Sequence, residues 1–209
     1  MSNSTKVTIV DYDSGNLWSV KNALIYLGYE PEITSCPEKI RNSRKLILPG
    51  VGSFAYAMKS LKEKNIDQAI RDAVIEKGAS ILGICLGMQL LGSRGTEDGI
   101  TDGINLIPTD VDVFNKNILD KLKTPHIGFN KVLGHPKSKL FKGLDRETDF
   151  YFVHSYRMVE NNIDGYNGIC FYGEEFMALY ENDNIFATQF HPEKSQNNGL
   201  IMLNNFLQA

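Results

Sequence analysis

The sequence predicts an α/β fold: a largely parallel central sheet with helices on its faces and an antiparallel extension in the second half. Two observations carry this reading. Up to about residue 91, short β-branched runs alternate with apolar residues at helical spacing, the pattern of a covered parallel sheet. Beyond about residue 110, strand-like runs follow one another, and the later ones are separated by tight turns such as Asn182-Asp183-Asn184, the pattern of hairpins. The chain has 209 residues, 42% of them hydrophobic, which is enough for a substantial core. It has no internal repeat, low-complexity tract or linker, so residues 1–209 are read as one domain.

The elements follow in order. Val7-Thr8-Ile9-Val10 is a first strand and ends in a turn cluster at residues 11–16. Leu17, Val20, Leu24 and Leu27 recur at helical spacing, and Gly28 stops that helix. Residues 32–35 and 45–48 give two more strands, the latter ending at Pro49-Gly50-Val51-Gly52-Ser53-Phe54. Residues 55–61 and 66–77 read as helix, closed by Gly78. A strand over 81–84 reaches Cys85, and a helix begins after it. Residues 111–114, 150–153, 168–172, 176–180 and 185–190 are strand-like, and a final helix starts near Gly199. In parallel sheets sites gather at the C-terminal strand ends, which would bring together the turns after Val10, Leu48 and Ile84.

Bulk properties exclude several classes. Net charge is −3, which offers no attraction to nucleic acid or to a membrane surface. The longest apolar stretch, 81–91, is broken by glycines and falls short of the ~20 residues of a membrane span. Met1-Ser2-Asn3-Ser4-Thr5-Lys6 leads directly into a strand without the apolar stretch of a signal peptide. Cys36, Cys85 and Cys170 are scattered and show no metal-ligand spacing, so a reducing, cytoplasmic compartment is expected, and no metal.

The chemistry centres on Gly83-Ile84-Cys85-Leu86-Gly87. An apolar strand ends at a cysteine with a glycine two residues to either side, and a helix follows. That is the layout of a nucleophile elbow, and a helix start points its positive end at the sulfur. A buried structural cysteine is the plainer alternative. Gly168-Ile169-Cys170 repeats the tripeptide but continues as Phe171-Tyr172, with neither glycine nor helix, so Cys170 reads as inert; Cys36, in a loop before Pro37, lacks both features as well. A cysteine nucleophile needs a base, and the base an orienter. In Phe190-His191-Pro192-Glu193, extended backbone would set His191 and Glu193 on one face, with Pro192 stiffening the link. Gly50-Val51-Gly52-Ser53-Phe54-Ala55 matches a dinucleotide pattern formally, but it follows the third strand and carries Pro49 in its turn. Backbone presenting N–H groups to an oxyanion is the favoured role, and a plain tight turn the alternative. His135, in a lysine-rich loop, reads as solvated.

Together, Gly83-Ile84-Cys85-Leu86-Gly87-Met88-Gln89, Phe190-His191-Pro192-Glu193 and Pro49-Gly50-Val51-Gly52 resemble the class I, triad-type glutamine amidotransferases. Within that family, Asp11-Tyr12-Asp13-Ser14-Gly15-Asn16-Leu17, Pro125-His126-Ile127-Gly128-Phe129-Asn130, Tyr151-Phe152-Val153-His154-Ser155-Tyr156 and His191-Pro192-Glu193-Lys194-Ser195-Gln196 look like the glutaminase subunit of imidazole glycerol phosphate synthase. The resemblance spans residues 7–206 and implies a flavodoxin-like three-layer sandwich. It implies a Cys85–His191–Glu193 triad, and an oxyanion hole from Leu86 with Val51 and Gly52. Gly50, Gln89, Glu97, His154, Ser155 and Tyr156 are expected to bind glutamine. It also implies that Tyr12, Asn16, His126, Phe129, Tyr151 and Lys194 face a (β/α)8-barrel synthase in a heterodimer, and that no cofactor is used.

Two positions depart from that subunit: Asp13 stands where the family usually has Gly, and Phe129 where it usually has Trp. Both are similar to partner-facing segments, so the departures bear on the ammonia acceptor. Related subunits feed amidino-sugar synthesis for surface glycans, and this is the alternative acceptor. A free-standing cysteine hydrolase and a catalytically silent binding subunit are further alternatives. Gln89 and the 151–156 segment argue against the first, and the intact triad residues against the second.

Overall fold

The computed structural model describes residues 6–13, 15–115, 122–159 and 163–209. Most of the segment read above as leading into the first strand, residues 1–5, and Ser14 of the first turn cluster lie outside the described residues. The chain runs β1 (Val7–Val10), α1 (Leu17–Tyr26), β2 (Pro31–Thr34), α2 (Pro37–Arg41), β3 (Lys45–Gly50), α3 (Phe54–Glu63) and α4 (Ile66–Arg71). A π-turn over Asp72–Glu76 leads to β4 (Ser80–Cys85) and α5 (Leu86–Leu90). Then come β5 (Arg94–Gly95), β6 (Thr101–Asp102), β7 (Val111–Val113), β8 (His126–Leu133), β9 (Glu147–His154), β10 (Tyr156–Met158), β11 (Gly168–Phe171), β12 (Glu175–Asn182), β13 (Ile185–Thr188), a 3₁₀ turn at Pro192–Lys194 and α6 (Gln196–Gln208).

Among the described residues nine strands form one sheet in the order β2-β1-β3-β4-β13-β12-β11-β8-β9. The first five are parallel, and their order is that of a flavodoxin-like sheet. The last four strands pair antiparallel and form the extension expected in the second half, one strand short of the parallel part. A small second sheet, β10-β7-β5-β6, stands beside it.

Buried strands explain the sandwich. β3 is buried along its whole length, and its residues divide between the faces: Leu46 and Leu48 pack with Met58, Leu61 and Ile70, while Ile47 packs with Leu24, Leu82 and Leu203. A strand apolar on both faces needs helices over both. The long strand β8 is absent from the sequence reading because its apolar residues Ile127, Phe129 and Leu133 are exposed while His126 is buried, and Gly128 and Asn130 interrupt the apolar run. The final helix starts at Gln196 rather than near Gly199. Gly199 sits where a Cβ would lie 1.8 Å from the Pro192 carbonyl oxygen, so it marks a close approach of α6 to the turn before it. Among the described residues no helix is long and apolar enough to cross a membrane.

Candidate active site

The sheet order builds the site. β4 lies between β3 and β13, with Gly50 opposite Cys85 and Thr188 opposite Ile84. Cys85 therefore ends its strand between the 50–53 turn on one side and the His191 segment on the other. Cys85 itself adopts φ 55°, ψ −108°, a strained conformation for a residue with a Cβ. The flanking glycines serve close packing: a Cβ on Gly87 would lie 1.7 Å from the Leu48 carbonyl oxygen, and one on Gly83 would lie 2.8 Å from the Gly87 oxygen and the Met88 nitrogen. They let α5 fold back onto β3 and β4, and the strain falls on the cysteine. α5 has only five residues, so its dipole at the sulfur is smaller than the sequence suggests.

His191 and Glu193 are paired, though not by extended backbone. His191 is extended, but Pro192–Lys194 forms a 3₁₀ turn that brings the carboxylate back to the ring. The Glu193 Oε1 to His191 Nδ1 distance is 2.7 Å, and both side chains are fully buried. Ser195 Oγ donates to the His191 carbonyl at 2.6 Å and accepts from the Tyr151 N–H at 2.9 Å. The His191 N–H donates to the Tyr151 carbonyl at 2.9 Å, so the middle of β9 anchors the whole turn. His191 Nε2 is buried and makes no hydrogen bond within ordinary reach, yet the Cys85 sulfur is close enough that, as a thiolate, it raises the affinity of the ring for a proton. Burial is the largest single influence on the imidazole and lowers its pKa. The interactions with Cys85 and Glu193 together outweigh it and carry the pKa up to about 10.

A cavity of about 280 Å³ opens on Cys85 and is lined by Val51, Gly52, Leu86, Gln89, Glu97 and the 153–156 segment, among others. Glu97 Oε2 accepts the Phe54 N–H at 2.7 Å and ties this wall to the start of α3. Leu86 is the first residue of α5, where a backbone N–H has no intrahelical acceptor. Ser155 and Tyr156 face the cavity, and Gln89 donates to the Tyr156 carbonyl at 2.9 Å. His154 lines the cavity, but both of its nitrogens are engaged by the protein. Nδ1 lies 2.9 Å from the Tyr156 carbonyl, which only accepts, so Nδ1 carries the proton and Nε2 accepts from His126 Nδ1 at 3.0 Å. Burial holds both rings neutral, with His126 pushed down to about 4 and His154 to about 3. Gly50 is not part of the cavity wall. It is buried beneath, and a Cβ there would lie 2.2 Å from the Tyr12 hydroxyl oxygen.

The residues expected to face a partner divide into two groups. Phe129, Tyr151 and Lys194 reach the surface, and the Phe129 and Tyr151 rings meet edge-to-face at 5.6 Å. Tyr12 and His126 do not: the Tyr12 hydroxyl donates to the Pro49 carbonyl at 2.9 Å, and His126 is stacked between Tyr172 and Phe152. Their apolar neighbours make burial more favourable than display. Asn16 is half-buried and donates to Glu193 Oε1, so it orients the carboxylate instead. Sequence reasoning gave no role to Gln189, whose amide lies against Cys85 and Gln89. Its position beside His191 was the available signal. Cys170 is buried, and burial pushes its thiol up to about 12, in keeping with an inert group.

The family described as "Glutamine amidotransferase class-I" matches residues 8–209. The chain is 45% identical to the imidazole glycerol phosphate synthase subunit HisH of Moorella thermoacetica, over 96% of this chain and 93% of that protein. It is 43% identical to imidazole glycerol phosphate synthase subunit HisH 1 of Campylobacter jejuni (strain RM1221), over 97% and 99%. Among solved structures, PurLQS from Thermotoga maritima superposes with a TM-score of 0.74 at 18% identity, covering 98% of both chains, and a structure described as a glutamine amidotransferase with a TM-score of 0.73, also at 18%, covering 96% of this chain and 97% of that one. At that identity the structures speak to the fold alone.

Proposed function

This chain belongs to the glutamine amidotransferase class-I family, and from that premise we propose that it is the glutaminase subunit of an imidazole glycerol phosphate synthase. In this role it hydrolyses L-glutamine to glutamate and ammonia in the cytoplasm and passes the ammonia to a (β/α)8-barrel partner for histidine biosynthesis. The observation that carries the reading is that Cys85 lines a cavity of amino-acid size while the buried His191–Glu193 pair stands behind it, with the imidazole within interaction distance of the sulfur. Cys85 Sγ attacks the side-chain amide carbon as the thiolate, its proton having passed to His191. His191, protonated across the neutral range, gives its Nε2 proton to the leaving nitrogen, so the C–N bond breaks as ammonia forms. Water then adds to the thioester with His191 as base, and the C–S bond breaks to release glutamate. Glu193, held by Asn16, keeps Nδ1 protonated and the ring aligned. Leu86, Val51 and Gly52 supply the backbone that surrounds the developing oxyanion, where one donor is worth about 2.7–4 kcal/mol.

The partner reading is supported by an apolar face that runs into the cavity wall. On β8 and β9, Ile127 pairs with Val153 and Phe129 with Tyr151. Ile127 and Phe129 are 60% and 51% exposed. Val153 lines the cavity, and its carbonyl lies 3.7 Å from Cys85 Sγ. A partner docked there would cover the nucleophile and receive ammonia without passing it through water. Glutamate release by the complex should fall about a thousandfold or more in Cys85→Ser and His191→Ala, and near-normal turnover in either variant would sink the triad. Asp13 and Phe129 favour a second reading, in which the same glutaminase serves amidino-sugar synthesis. Imidazole glycerol phosphate formation from glutamine with the cognate synthase decides between them, and a stable complex that forms no such product selects the second.

A further inference from the structure

The proposed mechanism leaves one wholly buried polar side chain beside the nucleophile without a task. Gln189 follows β13, two residues before His191, and is 0% exposed. Its backbone N–H bonds the Ala178 carbonyl at 2.9 Å, which fixes its place against β12. Its Nε2 lies 3.7 Å from Cys85 Sγ, and its Oε1 lies 3.0 Å from Gln89 Nε2. The orientation of the two amides is determined by chemistry. The Tyr156 carbonyl only accepts, so Gln89 presents its NH₂ there; the second hydrogen of that NH₂ requires an acceptor, which is Gln189 Oε1. The NH₂ of Gln189 is then left facing the sulfur. Besides the His191 imidazole, the sulfur has the Val153 carbonyl at 3.7 Å, which accepts from a thiol but repels a thiolate.

We propose that Gln189 is a positioning residue: it aims one amide N–H at Cys85 and holds the sulfur as an anion in its attacking orientation, while Gln89 and the Tyr156 carbonyl keep that amide from turning over. Gln189 does not line the cavity, so it acts on the nucleophile and not on substrate. The inference rests on the glutaminase reading only for its consequence in turnover. Around the sulfur the titratable groups are His191 and Glu193 after β13, His154 at the end of β9, and Glu97 and Tyr156 on the cavity wall. The Gln189 amide is neutral at every working pH, so it alters how Cys85 titrates without titrating itself.

The test follows Cys85 alkylation by iodoacetamide against pH, resolved by peptide because Cys36 is exposed. In Gln189→Leu the midpoint should rise by about one pH unit, a tenfold change that matches the loss of one hydrogen bond to a charged group. With partner present, kcat should fall by a similar factor while KM for glutamine holds. Gln189→Met, which keeps the volume, serves as the second variant. An unmoved midpoint in either folded variant overturns the proposal. In the wild-type chain the side-chain amide resonance of Gln189 should follow the Cys85 titration and move on alkylation, and an indifferent resonance overturns it too. A shifted midpoint in a chain that never hydrolyses glutamine would sustain this role and remove the glutaminase reading. Normal hydrolysis with an unmoved midpoint would do the reverse.

Discussion

Single residues carry most of the chemistry, and several act differently from their sequence appearance. Asp13, where the family usually has Gly, sits at φ 67°. That left-handed conformation is one glycine adopts freely and aspartate tolerates, so the backbone accounts for the usual residue. The Asp13 carboxylate instead pairs with Lys64 at 2.5 Å on an exposed rim. His191 and Glu193 were legible from their spacing, but the turn that joins them was not, because Pro192 suits both an extended and a 3₁₀ start. A pH prediction belongs at this scale. The folded pKa of His191, about 10, lies above its ordinary 6.5, so its contribution to stability is complete below about 6.5 and lost as pH rises through about 10. Denaturant midpoints should therefore decline over that window more steeply in the wild type than in His191→Gln. Parallel profiles would show that the charged pair does not stabilise the fold.

At the scale of elements, the elbow is a packing problem before it is a catalytic one. α5 lies so close to β3 that Gly87 has no room for a side chain, with Leu48 the obstruction. Gly87→Ala should lower stability by about 1–3 kcal/mol or more, as overpacking does, and move Leu86 away from the cavity. Thermal melting together with glutaminase turnover checks this, and an unchanged melting temperature would mean that α5 shifts freely. The glycine spacing was legible in the sequence, but its cause was not: the contact that demands Gly87 is made with a strand far earlier in the chain. The turn that carries His191 is likewise held by β9 through Ser195 and Tyr151, and that strand lies well upstream.

For the whole molecule, the antiparallel half supplies a surface as well as a wall. The exposed side of β8, β9 and β11 carries Ile127, Phe129, Leu133 and Phe171, and the Lys131–Glu147 pair lies between strands at 3.5 Å. Phe129→Ala should weaken partner binding about tenfold, the scale of a central aromatic contact, with little change in the stability of the free chain. Calorimetric titration of the partner checks this, and unchanged affinity would move the interface elsewhere. The α/β alternation, the elbow at Cys85 and the His191–Glu193 pair were all readable from residue order, because each depends on neighbours within a few positions. The tertiary structure alone decided that Tyr12 and His126 are buried, that Gly50 lies beneath the cavity, that Asn16 orients Glu193 and that Gln189 faces the sulfur. Each of these depends on which distant strand lies alongside, and the order β3-β4-β13 is a property of the assembled sheet, set by burial on two faces rather than by any local run of residues.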